Sequence, residues 1–176
     1  MENPSNTPDA PRAAYPVAFN HVGLNVPDLD QALAWYQQLF GFTVLMGPYE
    51  VEGQAGLAGQ IYVDIAGATM RKTRVAQVAM GNGIGLEMFQ FLDPATPAAS
   101  PIEELYYKPG PWHLAFTHPD VEGLLARILA AGGRPISQVW SPIQDQDQFK
   151  LVYCYDPFGN VLELFSHSYE QMLANR

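Results

Sequence analysis

Hydrophobic and polar positions along the chain run through the same order twice. The stretch FNHVGLNVPDLDQALAWYQQLFGF lies over PWHLAFTHPDVEGLLARILAAGGR without a gap, and each copy passes from a strand-like segment through a cap into an amphipathic helix. In this register His21 meets His113, Pro27 meets Pro119, Asp28 meets Asp120, Leu33 meets Leu125 and Gly41 meets Gly133. Leu29, Leu33 and Tyr36 recur at the spacing of one helical face, as do Val121, Leu125 and Ile128, so both helices are expected to pack on a sheet. Asp28 and Asp120 stand where an N-cap accepts orphan backbone N–H groups. Gln31 completes a capping-box pattern in the first copy only, and Gly41 and Gly132 supply the stops.

The two halves match again further along, where GNGIGLEMFQF pairs with DPFGNVLELFSH and Glu87 falls on Glu163. A strand from Arg74 to Met80 leads into Gly81-Asn82-Gly83, and one from Phe149 to Tyr155 leads into the turn at Asp156 to Asn160, so both read as hairpins. Each half therefore predicts a βαβββ unit. From His21 to Glu87 the separation is 66 positions, against 50 from His113 to Glu163. The excess falls in the glycine-rich stretch 47–73, which is expected to be a loop or lid. Between the halves lie Pro94, Pro97, Pro101, Pro109 and Pro111 in a segment with no sustained period. The expected layout is a loose tail at 1–16 and one domain at 17–176, made of a first module at 17–92, a linker at 93–111 and a second module at 112–168.

Composition narrows the partners. A chain of 176 residues that is 48% apolar can bury a full core. Nine basic residues against eighteen acidic ones leave a net charge of −9, which on average repels nucleic acid and anionic membranes and favours a small-molecule substrate. Cys154 is the only cysteine, so an internal disulfide and a thiolate metal cage are both excluded, and a reducing, cytoplasmic setting is expected. The opening MENPSNTPDAPRAAYP has no basic cluster followed by an apolar run, and no later stretch is apolar for long enough to cross a bilayer.

The alternation of strand residues sets Glu87 beside Gly85, Phe89 and Phe91, and Glu163 beside Val161 and Phe165. An isolated carboxylate in such apolar company costs several kcal/mol, and a bound cation removes that cost. Taken singly, each of His21, Glu87, His113 and Glu163 reads as an ordinary core or surface residue. As equivalent positions of a repeat they form a two-imidazole, two-carboxylate set suited to one divalent metal: zinc, nickel, cobalt, manganese or ferrous iron. His118, just before a helix cap, and His167, after the last strand, are weaker candidates. Trp112, Phe89, Phe91, Phe165, Tyr153 and Trp140 read first as core and second as pocket lining.

The motifs HVGLNVPDLDQALAWYQQLFGF, GIGLEMFQF, WHLAFTHPDV and DPFGNVLELFSH resemble those of the glyoxalase, bleomycin-resistance and extradiol dioxygenase superfamily, the vicinal oxygen chelate proteins, over about Phe19 to Ser168. The resemblance implies an α+β fold of two βαβββ modules, paired curved mixed sheets enclosing a metal cleft, with helices outside. It also implies metal ligation by His21, Glu87, His113 and Glu163. The full ligand set resembles lactoylglutathione lyase, a lyase or isomerase in which the metal binds two neighbouring substrate oxygens and a glutamate, Glu163 or Glu87 here, moves a proton through an enediolate. That lyase carries an arginine four residues after its first histidine; here the position is Asn25, leaving Arg71, Lys72, Arg74 or Lys108 to hold a glutathione carboxylate. Methylmalonyl-CoA epimerase carries glutamine where Glu87 stands. A ferrous-iron extradiol dioxygenase, needing two histidines and one glutamate, is the second expectation, and a metal-free drug-binding protein the third. A pseudo-twofold arrangement of the halves is expected to bring the side chains of His21, Glu87, His113 and Glu163 to one cleft; related folds pair their modules either within a chain or across a dimer, and a homodimer is a further expectation.

Overall fold

In the computed structural model of the chain, which describes residues 17–173, the two predicted modules are present as two four-stranded mixed sheets. The expected tail at 1–16 lies outside the described residues. The first module contains β1 (His21–Asn25), α1 (Leu29–Phe40), β2 (Thr43–Glu52), α2 (Gly56–Ala66), β3 (Lys72–Ala79) and β4 (Gly85–Asp93), with strand order β1-β4-β3-β2. After a short α3 (Ile102–Leu105), the second module contains β5 (Leu114–Thr117), α4 (Val121–Ala130), β6 (Arg134–Pro135), β7 (Leu151–Tyr155) and β8 (Val161–Phe165), ordered β5-β8-β7-β6; α5 (Tyr169–Leu173) follows. In each sheet the first strand runs parallel to the last, and the last three form an antiparallel meander.

Local chemistry explains the helices. Asp28 Oδ1 accepts from Gln31 N at 3.0 Å and Asp120 Oδ1 accepts from Gly123 N at 2.9 Å, so both caps form as the sequence predicts. The capping box does not close in its usual way: the Gln31 side chain donates to Asp28 Oδ2 at 2.8 Å. Gly41, at φ 68, ends α1 in the left-handed conformation that glycine adopts without strain.

The glycine-rich stretch expected to be a loop is largely ordered. It holds the end of β2, the helix α2 and the start of β3. The helix was hidden because glycines interrupt its period and its N-cap, Ala55, has no side-chain bond. Gly59 serves packing instead: a Cβ there would lie 2.1 Å from Glu52 O, so only glycine lets α2 settle this close to β2.

The modules share one core. Leu86 and Met88 of β4, Val152 and Cys154 of β7, and Leu162 and Leu164 of β8 join Leu29, Leu33, Tyr36, Leu124 and Ile128 of the two helices in a single buried cluster. Across it, Trp35 Nε1 donates to Ala131 O at 3.0 Å, Phe40 packs on Phe116 with ring centroids 4.8 Å apart, and Tyr36 OH donates to Asp156 Oδ2 at 2.8 Å. The helix-covered faces of the two sheets thus meet in the middle. Strand residues of opposite parity point away from it.

Burial, and next the nearby Asp156 carboxylate, push the Cys154 thiol up to about 12. The folded protein is therefore expected to leave a thiol reagent such as dithiobis(nitrobenzoate) unreacted at neutral pH and to consume one equivalent in denaturant. Rapid labelling of the native chain would contradict the position of β7 in the core.

Candidate metal centre

Each module builds one histidine–carboxylate pair on the sheet face away from the shared core. In the first, β1 pairs β4 so that His21 stands opposite Gly85 and Gly23 opposite Glu87. The small residues leave room: a Cβ on Gly85 would come within 3.1 Å of His21 Cβ. His21 Nε2 lies 3.8 Å from Glu87 Oε2. The other ring nitrogen, Nδ1, is 2.7 Å from Asn20 Oδ1, an acceptor for a proton on Nδ1 that orients the ring with Nε2 towards Glu87.

The second module repeats the design more tightly. Ala115 stands opposite Glu163, and His113 Nε2 lies 3.1 Å from Glu163 Oε2. The Glu163 side chain is 8% exposed, against 26% for Glu87. Two ligands bound to one ion at bonds of about 2.0–2.2 Å stand roughly 2.9–3.4 Å apart. The His113–Glu163 separation falls in that range and the His21–Glu87 separation is somewhat wider. His113 Nδ1 is buried without a hydrogen-bond partner, and Glu163 lies buried with no Lys or Arg among its ion-pair partners. A cation bound between His113 Nε2 and Glu163 Oε2 would compensate the buried carboxylate charge, and an imidazole-carboxylate set fits a divalent metal.

The four residues do not meet at one point within the chain. Among the described residues no three His, Cys, Asp or Glu side chains gather closely enough to hold an ion. Each pair instead forms within its own module, between the first and last strands of its sheet. A groove of about 980 Å³ between the modules is lined by His21 and His113, together with Gly23, Ala115, Phe40 and Phe116, but by neither glutamate. His118 caps its own turn, with Nδ1 2.8 Å from Asp120 O, and His167 packs on Phe149 with its Nδ1 2.8 Å from Ser166 Oγ.

Cross-strand residues complete both pairs; Gln77 is not singled out in the sequence, and Tyr153 reads there as core or pocket lining. Gln77 and Tyr153 are the cross-strand neighbours of Glu87 and Glu163. Gln77 Nε2 donates to Glu87 Oε1 at 3.1 Å, and the Tyr153 hydroxyl hydrogen-bonds to Glu163. Counting outward from the hairpin turns at residue 82 and residue 158 would have found both. Tyr62, on the unforeseen α2, donates to Glu87 Oε1 at 3.4 Å and sets its ring edge-on to Phe89. Burial first, then the Glu87 charge, raises the Tyr62 hydroxyl above its ordinary value, and burial followed by the Glu163 hydrogen bond does the same to Tyr153. Both stay protonated donors. Trp112 stacks on Tyr153 with centroids 5.7 Å apart and covers the second pair from the side. Of the basic residues considered for anion binding, Arg71, Lys72 and Arg74 are engaged by Asp93, Glu50 and Asp30.

Comparison with known proteins agrees with this architecture. The solved structures it resembles include a glyoxalase family protein from Bacillus cereus (19% identity, 88% of this chain and 97% of that one, TM-score 0.69). A mutant of the fosfomycin resistance protein FosX from Listeria monocytogenes, complexed with Mn(II) and a dihydroxypropylphosphonic acid, is 17% identical (89% and 98% covered, TM-score 0.57). A glyoxalase I mutant from Zea mays is 17% identical over 85% of this chain and 44% of that one, with TM-score 0.55. At these identities the likeness is one of fold. A search of curated proteins by sequence finds no match. A sequence model of the Glyoxalase/Bleomycin resistance protein/Dioxygenase superfamily matches residues 18–164, and the chain belongs to that superfamily.

Proposed function

We propose that the protein is a metal-dependent lyase or isomerase that moves a proton on a small substrate bearing adjacent oxygens, with its centre shared between two copies of the chain. The observation that carries this reading is the separation of the pairs: each module presents one imidazole and one carboxylate, half of a four-ligand set, on a face that its own chain leaves uncompleted. A two-fold dimer supplies the other half, with His21 and Glu87 of one copy facing His113 and Glu163 of its partner. In the Listeria FosX complex the same fold is recorded with Mn(II), which supports a divalent ion.

The bound ion would act as a Lewis acid that polarises a substrate carbonyl and acidifies the neighbouring C–H. The chain itself provides the rest. Glu87, with the more exposed carboxylate of the two, is reachable by a substrate proton; Glu163 is packed against His113 and Tyr153, which hold it in one orientation. Trp112 and Tyr153 on one sheet and Phe89 and Phe91 on the other limit the water around the pairs.

Mixing separately purified Glu87→Ala and Glu163→Ala chains tests the reading. Each variant alone is expected to bind little zinc or nickel, and the mixture to recover part of it, because a hybrid dimer contains one intact centre. Full metal binding by either variant alone, or no recovery on mixing while mixed dimers form, would overturn it.

A further inference from the structure

Beneath α2, Glu87 is held in a way that packing alone does not require. Its Oε1 accepts from both Gln77 Nε2 at 3.1 Å and Tyr62 OH at 3.4 Å, and Oε2 is left facing His21 Nε2. Gln77 also reaches Tyr49, with Nε2 3.2 Å from its hydroxyl oxygen. All the donor capacity of the Gln77 amide is thus directed at its neighbours, but its carbonyl Oε1 is buried with no partner. An orphaned buried acceptor destabilises a fold, and an apolar side chain of the same shape would avoid that penalty. A glutamine kept in an unfavourable setting, on a sheet face with Val75 and Phe89, points to a role other than stability.

Tyr62 leads to the same conclusion independently. It is carried by a helix for which the second module has no counterpart, and that helix is pressed onto β2 at Gly59 so closely that no side chain fits. The ring is fixed edge-on against Phe89, which directs its hydroxyl at the carboxylate. Resting on the proposed metal function, we infer that Gln77 and Tyr62 are positioning residues: they tie one oxygen of Glu87 in place, so that the other is presented to the metal in a fixed direction.

Cobalt(II) binding to the full chain measures this, since its visible absorption reports both affinity and coordination. Gln77→Met removes the amide at similar volume, and Tyr62→Phe removes only a hydroxyl. Each is expected to weaken cobalt binding by about tenfold or more and to alter the spectrum, as loss of a ligand's supporting hydrogen bond typically does. The urea midpoint of the metal-free protein should stay the same for Tyr62→Phe, and stay the same or rise for Gln77→Met; a structural role would lower it. Cobalt affinity and spectrum unchanged in both variants, with binding intact in the unaltered chain, would overturn this inference and leave the metal function standing. Failure of the unaltered chain to bind cobalt would overturn both.

Discussion

Glu163→Gln is expected to reduce metal affinity and proton-transfer turnover by about a hundredfold or more and to leave the fold intact. The substitution keeps volume and removes the charge that makes this side chain a ligand, and without the ion the proton transfer to Glu87 loses its Lewis acid; contacts of that kind are typically worth 10²–10⁴ in rate. Glu163 is the more buried of the two glutamates and stands 3.1 Å from His113 Nε2. The lost charge is therefore not replaced by solvent. Metal analysis of the purified variant beside its circular dichroism spectrum is the measurement. Normal metal content in a folded Glu163→Gln protein would end the proposed function.

The largest effect on stability is expected at Asp156, which lies outside both pairs. This carboxylate is 1% exposed and accepts from Tyr36 OH at 2.8 Å, Phe158 N at 2.9 Å, Asn160 N at 2.7 Å and Asn160 Nδ2 at 2.7 Å. It closes the β7–β8 turn and, through Tyr36, ties the second module to the helix of the first. Asp156→Ala strands four donors, the Tyr36 hydroxyl fully buried and the other three part-buried, and is expected to cost about 3 kcal/mol or more in urea unfolding. A loss below about 1 kcal/mol would show that the junction does not depend on it. The pH dependence has a definite sign. Burial raises the Asp156 carboxyl above its ordinary 3.8, against the hydrogen bonds from Asn160 and Tyr36 that lower it. The folded chain thus binds this proton more tightly than the unfolded chain. The resulting stabilisation is complete below pH 3.8 and is lost as the pH rises through the folded value. Relative to Asp156→Asn, which cannot titrate there, the unaltered protein should lose stability as the pH is raised from the acid side towards neutrality.

The fold was legible because the duplication doubled every signal. Asp28 and Asp120 cap equivalent helices, and the two hairpins bring Glu87 and Glu163 to equivalent strands. One sequence pattern read twice was enough to give both modules. What escaped the reading was α2, where Gly56 and Gly59 look like loop residues; Gly59 is required by the close approach to β2, and Gly56 opens the helix at a positive φ. The pairs themselves were legible as residues and as neighbours within a module. Their separation in the chain was not, because it depends on how Trp35, Tyr36 and Phe40 dock against Ala131, Asp156 and Phe116, contacts between faces that no local period encodes.

The helix present in only one half has a stereochemical consequence. In a two-fold assembly of the proposed kind, every centre is bounded on one side by α2 with Tyr62 and on the other by bare sheet carrying Tyr153 and Trp112. A flat reactant held between them meets unlike surroundings above and below. A centre of the proposed kind would then tell left from right, and handedness in its product would trace back to a single inserted turn-and-helix.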